Sequence, residues 1–206
     1  MKEDKPPIKQ PLQTRSKHTV EAIIEAATRI LKKQGETKFN TNFVAEIAGV
    51  SVGSLYQFFK NKNAISDELI NRLLDKNLKK IEAILKSEVH SNNVDQKIYE
   101  VVSSLFDSFE AEGPLTSFVM ENVLKIVGLN RFKRIEEKMV PFFLEQIKIN
   151  NLPFHHSNPE LALSNAIQCV RVLVLSYFLS PEKCQREEMI LEIKNLLMAY
   201  LFKEPN

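Results

Sequence analysis

The chain has 206 residues, 44% hydrophobic and 26% charged, with a formal net charge of +2, the proportions of a soluble globular protein of one domain or two small ones. Two cysteines supply no disulfide framework and fit a reducing, cytoplasmic compartment, and the N-terminal MKEDKPPIKQPLQ lacks the apolar core of a secretory signal. The longest apolar stretch, AIQCVRVLVLSYFL at 166–179, is short of a membrane span and contains Arg171, so it reads as a buried helix.

Only five glycines occur, and the prolines cluster between periodic segments, which is the punctuation of an all-α chain. Residues 1–15 read as a flexible basic Pro/Lys tail. The first helix is expected over 16–34, where Val20, Ile23, Ile24, Ala27, Ile30 and Leu31 recur at helical spacing and Gly35 closes it. A short second helix is expected behind Thr41 as its cap, with Val44, Ile47 and Ala48 on one face and Gly49 at its end. Ser51 then caps a third helix of seven or eight residues, and Asn61 caps a long fourth. Beyond residue 90, helices are expected near 93–112, 114–127, 131–150, 159–179 and 181–203, about nine in all. Pro114, Pro159 and Pro181 fall near helix starts, where a missing N–H does no harm, whereas Pro141 should kink or divide its helix.

Charge is unevenly placed along these elements. Residues 1–87 hold 16 Lys and Arg against 10 Asp and Glu, and residues 88–206 hold 12 against 16. An excess of basic groups in the first part suits contact with a polyanion.

Two short helices joined by a Gly-containing turn form a helix-turn-helix pattern, whose second helix enters the DNA major groove. In VSVGSLYQFFKNKNAI (50–65), Val52, Gly53 and Ser54 are small enough for close approach to a duplex. Tyr56 and Gln57 carry hydrogen-bonding tips for phosphate or base edges, Leu55 and Phe59 turn inward, and Lys60 and Lys62 meet the next phosphates. Arg15 and Lys17, beside the first helix, are further candidates for DNA contact.

The run TNFVAEIAGVSVGSLYQFFKNKNAI (41–65), with VEAIIEAATRILKKQG (20–35) before it, resembles the DNA-binding domain of TetR-family transcriptional regulators. The similarity extends over residues 15–75 without gaps. It implies backbone contacts from Thr41, Ser51, Tyr56 and Lys62, and base or mixed contacts from Val52, Gly53, Ser54 and Gln57. Two positions depart from the family pattern: Phe58 replaces the usual Tyr or His and has no donor, and Lys60 replaces a frequent Pro.

The resemblance also implies an organisation of 1–15 as tail, 16–62 as DNA-binding domain and 63–206 as helical ligand-binding and dimerisation domain. The partners it implies are double-stranded operator DNA, a second copy of the chain and a small-molecule effector, with no cofactor and no membrane. Most such proteins are repressors. The last two helices would form a four-helix dimer interface, for which Arg171, Leu175, Phe178, Ile193 and Leu197 are the candidates.

Nine of the 13 Phe lie in the C-terminal half. Phe106, Phe109, Phe118, Phe142 and Phe143 at helical spacing suit a core, or the apolar lining of an effector pocket with Asn122, Asn165 and Gln168 as its polar groups. Arg171 needs a partner in so apolar a helix, either a carboxylate across the dimer interface or an anionic ligand. Cys169 and Cys184 read as small hydrophobes, and His155–His156 lacks the companions of a metal site. The sequence holds no H-E-x-x-H, P-loop, G-x-S-x-G or Rossmann pattern, so an enzyme has no support. A helical interaction module that kept the architecture but lost specific DNA binding is the alternative, with Phe58 as its argument.

Overall fold

The structure is a computed structural model that describes residues 9–86, 92–126, 128–154 and 156–202; the side chains of 9–15, 122–126, 128–135 and 181 lie outside that description. Among the described residues the chain is helical throughout, with no strand. It divides into two compact units, Met1–Ile70 and Asn71–Asn206.

In the first unit, α1 runs over Lys9–Gln34, α2 over Thr41–Ala48 and α3 over Val52–Phe58; α4, Lys62–Lys86, begins here and carries the unit boundary. The expected tail is therefore helical from Lys9 onward. Pro11 is compatible with that because it falls in the first turn, where backbone N–H groups have no intrahelical acceptor.

Local signals account for the short helices. Asn40, rather than the expected Thr41, is the N-cap of α2: its side chain accepts from Phe43 N–H at 3.0 Å, leaving Thr41 as the first helical residue. At the other end Gly49 adopts φ 68°, its N–H donates to Glu46 O at 3.1 Å, and Val50 N–H donates to Ala45 O at 3.0 Å. This reversed pair of bonds is a Schellman closure, which needs a left-handed residue. A Cβ at Gly49 would meet nothing within 4 Å, so backbone torsion alone selects glycine. Gly49→Ala is expected to destabilise this unit by about 1–2 kcal/mol in urea unfolding. A loss below a few tenths would show that the turn relaxes into another form.

Ser51 caps α3 by accepting from Ser54 N–H at 3.0 Å, and Asn61 does the same for α4 through Ala64 N–H at 3.0 Å. Behind the caps lies one apolar core. Ile23, Ala27, Ile30 and Leu31 of α1, Val44 and Ala45 of α2, Leu55 of α3, Phe59, and Ile65 of α4 are all buried. Each large side chain fully removed from water contributes about 1.5–3 kcal/mol, and only one residue of α3, Leu55, is buried. The other faces of that helix are free to do something else.

In the second unit α5 (Val94–Glu110) packs on α9 (Arg186–Leu201), while α8 (Pro159–Leu179) packs on α6 (Pro114–Ile126), α7 (Gly128–Ile149) and α9. Pro141 lies inside α7 without dividing it. The last helix begins at Arg186, not near 181. Pro181–Lys183 forms a 3-10 turn, and a capping box, in which Gln185 N–H donates to Glu188 Oε2 at 2.8 Å, starts α9 afterwards.

Phe106 of α5 is fully buried, with ring centroids 5.0 Å from Tyr177 and 5.6 Å from Phe178 of α8. Arg186 at the start of α9 lies 5.9 Å over the same ring and bonds to Asp107 and Glu110 of α5. One aromatic side chain thus joins three helices.

Candidate nucleic-acid interface

The outer side of α3 is built from residues the core does not use. Ser51, Val52, Gly53, Tyr56 and Gln57 are exposed, and Ser54 is half-buried. Gly53 does not have positive φ, and a Cβ there would meet only Ser51 Oγ at 4.0 Å. Nothing among the described residues requires a glycine at this helical position, where it costs about 1 kcal/mol relative to alanine.

The side chains around it are held in place. The Ser51 and Ser54 hydroxyls share a hydrogen bond of 2.8 Å. The Tyr56 hydroxyl lies 3.1 Å from Thr41 Oγ1, tying the exposed ring of α3 to the first residue of α2. Lys62 is half-buried, 3.4 Å from Glu36 Oε1 and 5.7 Å from the centre of the Phe39 ring. Lys17 and Lys60 are exposed, and the Arg15 side chain lies outside the described residues. Phe58 is 37% exposed and presents an apolar ring on the same short helix.

The structure therefore gathers Thr41, Ser51, Val52, Gly53, Ser54, Tyr56 and Gln57 on and beside α3. Glu36 was missed by sequence reasoning, because a carboxylate in the connection between α1 and α2 has no periodic signature. Asn40 was legible in principle, since Asn is a preferred N-cap.

Residues 23–69 match the family model described as bacterial regulatory proteins, tetR family. The first unit is thus similar to the DNA-binding domain of that family. The uncharacterized HTH-type transcriptional regulator YhgD of Bacillus subtilis is 29% identical over 61% of this chain and 63% of its own length. The HTH-type transcriptional repressor KstR2 of Rhodococcus jostii is 24% identical over 58% of this chain and 57% of its own. The chain thus matches less than two thirds of either relative. The structure of the regulator FadR from Bacillus subtilis in complex with stearoyl-CoA has the same fold, with a TM-score of 0.63 over 88% of this chain and 98% of that one, at 20% identity.

Phe106, Phe109 and Phe118 are buried, and Phe109 also stacks on Phe178, at 5.6 Å. Phe142 and Phe143 border a separate cluster around Ile81, Leu85 and Met139. Asn165 and Gln168 are exposed on α8, and the Asn122 side chain lies outside the described residues. These positions are dispersed between two clusters and an outer face.

The expected interface residues also divide. Ile193 and Leu197 are buried within the subunit, where α9 packs on α5 and α8, and Phe178 of α8 stacks inside it on Phe106 of α5. Leu175 is half-buried. Arg171 finds its carboxylate within the chain: Glu136 of α7 lies 3.9 Å away and is itself bonded by Ser164 at 2.8 Å. Burial lowers the Arg171 guanidinium below its ordinary range, and Glu136 opposes that shift.

The stretch expected to be a buried helix is only partly so. Ala162, Leu163, Ala166 and Val174 are buried, but Leu161, Val172 and Leu179 stand about half exposed on the opposite side of α8. Asn165 and Gln168 share that side by helical spacing.

Proposed function

We propose that the protein is a ligand-responsive transcriptional repressor that binds a palindromic operator as a homodimer and is released by a small, largely apolar effector. The observation that carries this reading is the exposed N-terminal half of α3, with an unforced glycine at its centre and hydrogen-bonding side chains anchored around it. KstR2 is a repressor by name, and the FadR structure contains stearoyl-CoA, which supports both repression and an apolar effector here. A regulator of this kind acts in the cytoplasm, on the chromosome.

The dimer is supported by α8. Leu161, Val172 and Leu179 on its outer side, with Leu191, Leu196 and Tyr200 of α9, are exposed apolar groups that a second copy would cover. Asn165 and Gln168 then belong to this interface rather than to an effector pocket.

The experiment is selection of duplexes from random DNA by the purified protein. A palindromic enriched motif is expected. On that duplex Gln57→Ala should lose about 1–3 kcal/mol of binding while nonspecific binding stays nearly intact, as for a base contact. Lys62→Ala should weaken all duplexes alike and flatten the salt dependence. Equal losses from Gln57→Ala on both kinds of DNA would reassign Gln57 to the backbone. Absence of any enriched motif at low salt favours the second reading, an interaction module without specific DNA binding, for which the exposed Phe58 is the supporting feature.

A further inference from the structure

Four polar side chains are buried among the described residues: Ser66, Asn77, Ser108 and Thr116. Three have partners within the chain. Ser66 donates to Lys62 O at 3.2 Å, Thr116 donates to Phe109 O, and Ser108 accepts from Lys80 Nζ at 2.7 Å. Asn77 is different. It is 4% exposed, and neither its Nδ2 nor its Oδ1 is hydrogen-bonded to the chain.

Buried amides are nearly always paired, because leaving one unpaired forfeits the hydrogen bonds it made in water. Asn77 stands in the middle of the inward face of α4, one turn after buried Leu73 and one turn before buried Ile81. Ile81 continues into an apolar cluster with Leu85 and Met139, bordered by Phe142, Phe143 and Ile167. Leucine has nearly the shape of asparagine and would suit these neighbours better if packing were its only task. The carboxamide brings no net charge, so it cannot compensate an ionic group in this apolar setting. It offers two N–H donors and one carbonyl acceptor on the same short side chain.

We propose that Asn77 is the hydrogen-bonding anchor of the effector site in the C-terminal unit. The effector is then an uncharged small molecule with an apolar body and a head group that both donates and accepts, such as a primary amide, an alcohol or a protonated carboxyl. This deepens the ligand-responsive reading and rests on it. The apolar cluster beyond Ile81 receives the body of the molecule, and Asn77 sets its direction.

Octanamide and 2-nonanone serve as probes of similar size, because the ketone accepts but cannot donate. Calorimetric titration of the full-length protein is expected to show octanamide binding about tenfold more tightly than 2-nonanone, the worth of one further hydrogen bond. Asn77→Leu should raise the thermal midpoint without ligand, keep wild-type affinity for DNA, and bind the two probes equally. Asn77→Gln, which retains the carboxamide, should keep part of the preference.

Equal or absent binding of both probes by the wild-type protein overturns the anchor. So does an unfolded or less stable Asn77→Leu, since the core itself would then need the amide. If the anchor fails while DNA selection succeeds, the regulator reading stands without it. If the wild-type protein selects no DNA, the regulator reading is what fails.

Discussion

Replacing Gly53 with alanine is expected to make the protein more stable and worse at holding its operator. The stability gain follows from backbone entropy, about 0.5–1 kcal/mol for glycine to alanine inside a helix. No clash offsets it, since among the described residues the new Cβ would lie 4.0 Å from Ser51 Oγ and touch nothing else. The binding loss follows from where that methyl points. It stands on the exposed side of α3, between Val52 and Ser54, where the proposed duplex would come closest.

Pushing the helix outward weakens several contacts together, so the loss should grow with side-chain size. It should be about tenfold for Gly53→Ala and on the order of a thousandfold for Gly53→Leu, or about 4 kcal/mol. Urea unfolding and binding titrations on the selected duplex, made on the same preparations, check both arms. Improved stability with unchanged binding would mean that Gly53 faces no nucleic acid, and the close-approach argument would be wrong.

Phe106→Ala is expected to cost about 3–5 kcal/mol, the range for deleting a buried aromatic ring. Its neighbours cannot readily close the space. Tyr177 and Phe178 approach from α8, and Arg186 lies over the ring while its charge is held by Asp107 and Glu110. The Arg186 head group is thereby fixed at the rim and is a poor filler. The thermal midpoint of the C-terminal unit should fall by roughly 10–15 °C, with Phe106→Leu showing a smaller drop. A midpoint within 3 °C of wild type would reveal a core that repacks freely around this position.

The short helices were the most legible part of the chain, because their ends are written in chemistry: Ser51 and Asn61 as caps, Gly49 as a left-handed stop. The fold class followed from such punctuation together with periodicity. Thr41 was misjudged as a cap because Asn40 beside it satisfies the same preference, and only the backbone torsions choose between them. The beginning of α9 was misplaced because Pro181 is acceptable in both a 3-10 turn and a helix. In the C-terminal unit, periodicity identified apolar faces but not which of two possible neighbours each face meets. Ile193 and Leu197 look the same in sequence whether they pack within the subunit or against another one, and the structure buries them within the subunit, where α9 packs on α5 and α8. Arg171 was expected to meet a carboxylate across the dimer interface or an anionic ligand; it meets Glu136 of its own chain instead, 35 positions earlier on another helix, a separation no local pattern encodes.

The outer side of α8 has a consequence for the cell as well as for the fold. If a second copy covers this exposed apolar stripe, as proposed, pairing would depend on abundance, and regulation would sharpen as the number of copies rises past the dissociation constant. The same dependence would give damaged subunits influence. A copy with an intact α8 but a broken α3 would sequester good partners in pairs that grip only half an operator, and one defective gene could silence a healthy one.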